Sequence, residues 1–276
     1  MNKIKYVISA IIVVAVAVLI IVGCRKETTC TDCTTPDLNI EQIKSTAGFI
    51  GNCHNEALDY IVPIAKEMLQ RDGTINYDSI SSRITDFVTE KCSKYCQTET
   101  SNNLINTMHN IEQENLLRVK EAIKQYNSDD NYVKNVINKC TTLTQYEKEF
   151  ILRIFAICDF QDYDYRCKQF KVLNKELSDN NYDFEILHYV LSVAMSSSDY
   201  WENYFSSTND KSMLGRILGM DVLGGIVGVL WHGSTCTGLL VFGPGGLVTC
   251  LGGHFVWGAI EGSTAEVLVI IGGYIF

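Results

Sequence analysis

The sequence lacks the short motifs that mark the common enzyme active sites. No HExxH zinc helix, GxSxG nucleophile turn, P-loop or Rossmann fingerprint occurs in its 276 residues. Its five histidines are scattered, and paired acids such as Asp162 and Asp164 lie in a polar stretch typical of a solvated surface. We therefore predict a protein that acts by interaction rather than by catalysis, with no cofactor, no catalytic residue and no metal site.

Positive charge is scarce as well. The chain has 23 Lys and Arg residues against 32 Asp and Glu residues, which gives a formal net charge of -9 at pH 7. Such a protein has no electrostatic attraction for the phosphates of nucleic acid or for an anionic membrane surface. We therefore predict no nucleic-acid partner.

Alternating apolar and polar residues, which are typical of β-strands, are missing from residues 38–210. Apolar residues recur there at spacings of three and four, as in the series Ile80, Ile84 and Val88, and a further amphipathic run spans Phe184 to Tyr204. This periodicity predicts an all-α fold, in which a bundle of about six helices over residues 38–210 is followed by a glycine-rich apolar hairpin over residues 211–276.

Local signals divide the predicted bundle into helices. Thr144-x-x-Glu147 is a capping box, in which each side chain bonds the backbone N–H of the other residue. Pro63 predicts a kink or an end in the first helix, because proline removes a helical hydrogen bond. Polar breaks occur at 71–73 and 178–181, and a further candidate helix runs from 104 to 126.

The N-terminus carries an export signal. Lys3 and Lys5 precede an apolar run that continues to Gly23, and the segment Ile21-Val22-Gly23-Cys24 resembles the lipobox of bacterial lipoproteins. In those proteins a signal peptidase cuts before the cysteine, and the thiol carries diacylglycerol. We therefore predict a signal peptide at 1–23, lipidation of Cys24, a polar tether at 24–37 and a location in the bacterial cell envelope.

The alternative for this segment is an uncleaved transmembrane helix, since the run is close to the roughly 20 residues that span a bilayer. Arg25 and Lys26 then lie on the side where such an anchor disfavours basic residues, so the lipoprotein is the preferred interpretation. Cleavage would remove two lysines and no acid, which changes the net charge from -9 to -11.

Cysteines are numerous for a protein of this length, at 11. If Cys24 is lipidated, the remaining even number predicts disulfides in an exported protein. The candidates are Cys30, Cys33, Cys53, Cys92, Cys96, Cys140, Cys158, Cys167, Cys236 and Cys250. The Cys30-x-x-Cys33 pair has redox and zinc alternatives, and Cys92 with Cys96 on one helix face has a metal alternative. Disulfides are preferred for both pairs, because neither has the further ligands of a zinc site.

The C-terminal quarter contains no charged residue from Val222 to Ile260 and is rich in glycine. Glycines four apart, at 215/219, 224/228 and 258/262, favour two closely packed helices. A β-hairpin is the alternative, because each interior glycine weakens a helix. Three roles follow for this hairpin: insertion into a membrane, burial in the core of the body, or a self-association face. Asp221 is expected at the edge of its first arm.

A segment near the start of the bundle, Gly51-Asn-Cys-His54-Asn55-Glu-Ala-Leu58-Asp59-Tyr-Ile61, fits the pattern GxxHNxxLDYI. It resembles a group of exported proteins and lipoproteins of the Bacteroidota, several of which also end in a glycine-rich apolar segment. The resemblance implies a compartment and a lineage but no mechanism. The high cysteine count departs from the group.

The polar residues of this motif have two interpretations. His54, Asn55 and Asp59 could form a cluster that binds a ligand or a metal. Alternatively, His54 and Asn55 make buried hydrogen bonds to a neighbouring helix end or to the glycine-rich segment, and this interpretation is preferred.

These observations give three functional hypotheses. The first is a cell-envelope lipoprotein that acts by interaction, with a membrane, a second copy or another protein as partner. The second is a membrane-active protein, bacteriocin-like or pore-forming, that uses residues 213–276. The third is a ligand-binding or catalytic protein centred on His54.

Overall fold

In a computed structural model of the chain, the structure describes residues 40–73, 76–96, 121, 125, 131–140, 143–179, 185–206, 214–236 and 255–264. The chain divides into two units, Met1–Asp37 and Leu38–Phe276, and every described residue belongs to the second. The described part is 91% helical and contains no strand, which confirms the predicted all-α fold.

The helices are, in chain order, α1 (Ile40–Asp72), α2 (Tyr77–Cys96), α3 (Tyr132–Lys139), α4 (Gln145–Cys158), α5 (Tyr163–Asp179), α6 (Glu185–Tyr204) and α7 (Leu214–Cys236). Residues 255–264 form a further helix, α8. Helix α6 is central, because it packs against α1, α4, α5 and α7. The candidate helix over 104–126 lies outside the described residues apart from 121 and 125.

Helix α1 continues past its proline. Pro63 lies inside the helix, which ends only at Asp72, so the expected end of the helix at Pro63 is wrong. Both Pro63 and Asp59, whose carbonyl the proline cannot bond, lie on the exposed face, where solvent can replace the missing hydrogen bond. The helix ends where the polar break predicted it. Gly73 adopts a φ of 66° and donates its N–H to Leu69 O at 3.0 Å.

The start of α4 confirms the predicted capping box. The Thr144 side chain accepts from the N–H of Glu147 at 3.3 Å, and the Glu147 carboxylate accepts from the N–H of Thr144 at 2.7 Å. Two N–H groups that the first helical turn leaves without partners are thereby bonded.

The apolar faces of the amphipathic helices meet in one core. Ile80, Ile84 and Val88 on α2 are fully buried, as their four-residue spacing predicted. Among the described residues, Trp201 on α6 is the largest fully buried side chain. Tyr189 on the same helix packs edge-on against Phe255 of α8, with ring centroids 6.3 Å apart.

Helices α7 and α8 pack backbone against backbone through glycines. A β-carbon at Gly224 would overlap the carbonyl oxygen of Gly258, and a β-carbon at Gly258 would overlap that of Gly224. The neighbouring approaches pair Gly224 with Gly262 and Gly258 with Gly228. The two helices therefore run antiparallel, and the glycines four apart are needed for their contact.

This pair accounts for the described part of the glycine-rich segment. Residues 222–236 and 255–260 are helical, so the β-hairpin alternative is wrong there. All described side chains of α7 and α8 are buried except that of Arg216, which is half-buried. Within the described part of the chain, no helix combines the length and the apolar character needed to cross a membrane. The turn signal at 243–246 lies outside the described residues.

The structure shows no disulfide at the predicted cysteines whose side chains it describes. None of the cysteines whose side chains the structure describes, Cys53, Cys140, Cys158 and Cys167, is in a disulfide. Cys53 and Cys158 instead fill small apolar spaces in the core. Burial raises the pKa of the Cys53 thiol to about 12 and raises that of Cys158 as well, so both stay protonated and unreactive. Cys24, Cys30, Cys33 and Cys250, and the side chains of Cys92, Cys96 and Cys236, lie outside the described part.

Candidate functional site

The GxxHNxxLDYI motif lies on α1 where that helix meets α6. A β-carbon at Gly51 would come within 2.7 Å of Ser192 Oγ and overlap Ser196 Oγ, so only glycine lets the two helices approach this closely. Leu58 and Ile61 are fully buried, whereas Asp59 faces outward. The apolar residues of the motif and its glycine therefore serve the packing of α1.

The imidazole of His54 is fully buried, and both of its nitrogens are hydrogen-bonded. Nδ1 lies 3.0 Å from Asn55 Oδ1, and Nε2 lies 3.2 Å from Ser263 Oγ on α8. Asn55 Nδ2 donates to Ser196 O at 2.9 Å, which orients the amide and leaves Oδ1 to accept from His54 Nδ1–H. The neutral ring therefore accepts at Nε2. The single proton of the Ser263 hydroxyl has two acceptors, His54 Nε2 and Ala259 O, each 3.2 Å away.

Burial lowers the pKa of His54 to about 4, although the bond to Asn55 works in the opposite direction. The ring is therefore neutral at physiological pH. A neutral, enclosed imidazole with both nitrogens bonded cannot reach a substrate, and it instead ties α1 to α8 and, through Asn55, to α6.

Asp221 on α7 is a second buried polar centre beside this histidine. Its side chain is fully buried, and its Oδ2 accepts from the Ser197 hydroxyl and from Trp201 Nε1 at 3.1 Å, both on α6. The same oxygen lies 3.6 Å from His54 Nε2. Asp221 therefore joins α7 to α6 from within the core, whereas the sequence placed it at the edge of an apolar arm.

Arg166 on α5 is a fully buried charge that the sequence analysis did not identify. Its guanidinium donates to Ser198 Oγ at 3.2 Å, to Phe160 O at 2.6 Å and to Glu202 Oε2 at 3.1 Å. These bonds satisfy the planar fork of arginine and hold the start of α5 on α6. The aromatic and polar run around it resembled a solvated loop, so the sequence carried no signal for its burial.

The predicted cluster of three polar residues is only partly formed. His54 and Asn55 are hydrogen-bonded to each other, whereas Asp59 lies on the exposed face of α1. There Asp59 bonds the hydroxyl of Tyr200, whose pKa is raised mainly by burial and further by this carboxylate. Among the described residues, no group of three or more His, Cys, Asp or Glu side chains could hold a metal ion.

Comparisons with known proteins give no further guide to the site. No protein-family model matches the chain, and no curated protein or solved structure is significantly similar to it. The geometry alone therefore describes a buried polar network in which His54, Asp221 and Ser263 connect α1, α6, α7 and α8.

Proposed function

We propose that this chain is an exported lipoprotein of a bacterial cell envelope, whose helical body acts by binding a partner rather than by catalysis. The lipobox-like segment from Ile21 to Cys24 and the polar tether at 24–37 support the location. The likeness of the motif around His54 to exported proteins of the Bacteroidota supports the same compartment.

One structural observation favours binding to a partner over insertion of residues 213–276 into a membrane. The described side chains of the glycine-rich helices α7 and α8 are buried apart from half-buried Arg216, and the polar residues Asp221 and Ser263 are bonded inside the body. Apolar surface that is already packed against protein gains nothing by entering lipid. The lipid on Cys24 would then be the membrane contact.

The surface of α5 supports binding to a protein. Tyr165 and Val172 are 44% and 52% exposed, and their spacing of seven residues places them on one helix face. Phe160 extends this face, with its ring 4.7 Å from that of Tyr165 in an edge-on contact. Exposed apolar groups gathered in this way are typical of protein contact surfaces.

The first test concerns the anchor. The full chain is expressed in a bacterial host, and the N-terminal peptide is analysed by mass spectrometry. We expect a chain that begins at Cys24 and carries diacylglycerol, and no such modification in the variant Cys24→Ala. An intact N-terminus with an unmodified Cys24 would identify a transmembrane anchor and contradict the lipoprotein.

The second test separates binding from membrane activity. The purified full chain is added to liposomes that contain a trapped dye. We expect no release of dye by the wild type. Release that is abolished when Gly224→Leu disrupts the α7–α8 pair would contradict the proposal and support a pore-forming protein.

The third test concerns the partner. A photo-crosslinking amino acid is placed at Val172 and, as a matched control, at Gln70, which is exposed on α1. We expect adducts at 172 only, and their mass distinguishes a second copy of the chain from another protein. Equal labelling at the two positions would exclude the α5 face.

A further inference from the structure

A pocket of about 300 Å³ lies where the first turns of α1 meet α5 and α6. Its wall includes Lys44 and Gly48 from α1, Ser178 from α5, and His188, Ser192 and Met195 from α6. This volume is at the lower end of the range of roughly 300–1,000 Å³ that is typical of small-molecule sites. The pocket is separate from the buried network around His54.

The residue Gly48 in the pocket wall suggests that the pocket is a binding site. It lies in the interior of α1, where glycine destabilises a helix by about 1 kcal/mol relative to alanine. A β-carbon at Gly51, in the same helix, would overlap Ser196, which explains that glycine by packing. In the part of the chain that the structure describes, a β-carbon at Gly48 would meet nothing within 4 Å, so packing does not account for the second glycine. Gly48 lines the pocket, and its missing side chain leaves that space free.

The polar residues that line the pocket are Lys44, Asn174, Ser178, His188 and Ser192. Three of them indicate what could bind there. Ser192 Oγ donates its proton to Ala47 O at 2.5 Å, and Ser178 Oγ donates its proton to Asn174 O at 2.9 Å. Because a hydroxyl has a single proton, both oxygens offer only lone pairs to a ligand. Lys44, in contrast, is a cationic donor at the rim. A ligand that carries a negative charge for the lysine and a hydrogen-bond donor for the serines therefore matches these three residues.

We propose that this pocket binds a small organic acid that carries a hydroxyl group beside its carboxylate. The carboxylate accepts from the Lys44 ammonium, and the hydroxyl donates to the lone pair of a serine. The apolar remainder of the ligand lies against Leu191 and Met195, and the flexible thioether of methionine adapts to its shape. This proposal is independent of lipidation and of the partner on α5.

The test uses mandelate as the probe, because it combines a carboxylate, a neighbouring hydroxyl and an apolar ring. Binding to the full chain in detergent micelles is measured by equilibrium dialysis, with micelles alone as the blank. We expect saturable binding of mandelate. Phenylacetate, which lacks the hydroxyl, should bind about two- to tenfold more weakly. Mandelamide, which lacks the charge, should bind about two- to fivefold more weakly, because its missing ion pair is with the exposed Lys44.

The variant Gly48→Leu adds a side chain to the pocket wall at a position where a β-carbon meets no described atom within 4 Å. We expect it to abolish mandelate binding while the melting temperature stays equal or rises, because leucine favours the helix more than glycine does. Lys44→Met should weaken binding about two- to fivefold, because Lys44 is exposed to solvent. Gln70→Leu places the same side chain on an exposed, distant turn of α1 and should leave binding unchanged.

Three results would overturn the proposal. They are the absence of saturable mandelate binding by the wild type, unchanged binding by Gly48→Leu, and equal affinity for mandelate and mandelamide. Each can occur whether or not Cys24 is lipidated, so failure here is distinguishable from failure of the proposed envelope function.

Discussion

Helices α1 and α7 are both long, yet they relate to the rest of the protein in different ways. On α1, buried Ile50, Leu58 and Ile61 alternate with exposed residues such as Glu56, so one face packs and the other meets solvent. The described side chains of α7 are buried on every face apart from half-buried Arg216. An amphipathic helix therefore reveals its packing through its periodicity, whereas a helix that is apolar all round does not.

The largest difference between the two helices is expected at their glycines. The same substitution, glycine to leucine, should destabilise the protein on α7 but not on α1. Gly224→Leu forces a side chain into the backbone of α8, so we expect a loss of at least about 3 kcal/mol in the free energy of unfolding. Gly48→Leu on α1 is the matched control and should cause no loss. Chemical unfolding followed by circular dichroism measures both variants. Equal stabilities would mean that α7 and α8 are not in contact.

The next largest effect is expected from His54, which connects α1 to the glycine-rich pair. Its pKa is about 4 in the folded protein against 6.5 in an unfolded chain, so the unfolded state binds the proton first as the pH falls. The free energy of unfolding should therefore decrease by about 3 kcal/mol in total as the pH falls from about 6.5 to about 4. Below pH 4 this contribution is exhausted.

Carboxyl groups also titrate in this pH range, so the contribution of the His54 imidazole to stability must be isolated. The variant His54→Gln removes the titrating group, and the difference between its stability profile and that of the wild type gives the histidine's contribution. Parallel profiles from pH 7 to pH 4 would show that the ring is not desolvated in the folded state.

Asp221 tests whether α7 is held by a polar contact as well as by packing. The variant Asp221→Ala leaves the Ser197 hydroxyl and Trp201 Nε1 buried without their acceptor, which should destabilise the protein by about 2 kcal/mol. Asp199→Ala is the control, since Asp199 accepts from the Tyr163 hydroxyl on the exposed surface and should contribute less than about 1 kcal/mol. If the two variants lose equal stability, Asp221 is solvated.

The contrast between the amphipathic α1 and the uniformly apolar α7 also explains which features the sequence could predict. The helix class, the capping box at Thr144 and the break at Gly73 depend on neighbouring residues, and the sequence predicted all three. The hydrogen bond between His54 and Ser263 joins residues 209 positions apart. Asp221, which lies beside His54, follows an apolar stretch that gives no sign of a buried polar contact. Only the packed fold brings these residues together. The disulfide prediction was wrong at Cys53 because composition cannot distinguish a core thiol from a bridged one.

The smallest effect is expected at Ser263, where α8 bonds the histidine of α1. Ser263→Ala removes the hydroxyl that bonds His54 Nε2 and Ala259 O, and it should lower the free energy of unfolding by about 1 kcal/mol. Because that bond stabilises the neutral ring, its loss should also raise the pKa of His54, which ring NMR signals report. Ser206→Ala removes an exposed hydroxyl bonded to Asn203 O and should change neither quantity. An unchanged His54 pKa in Ser263→Ala would mean that α1 and α8 are joined by apolar packing alone.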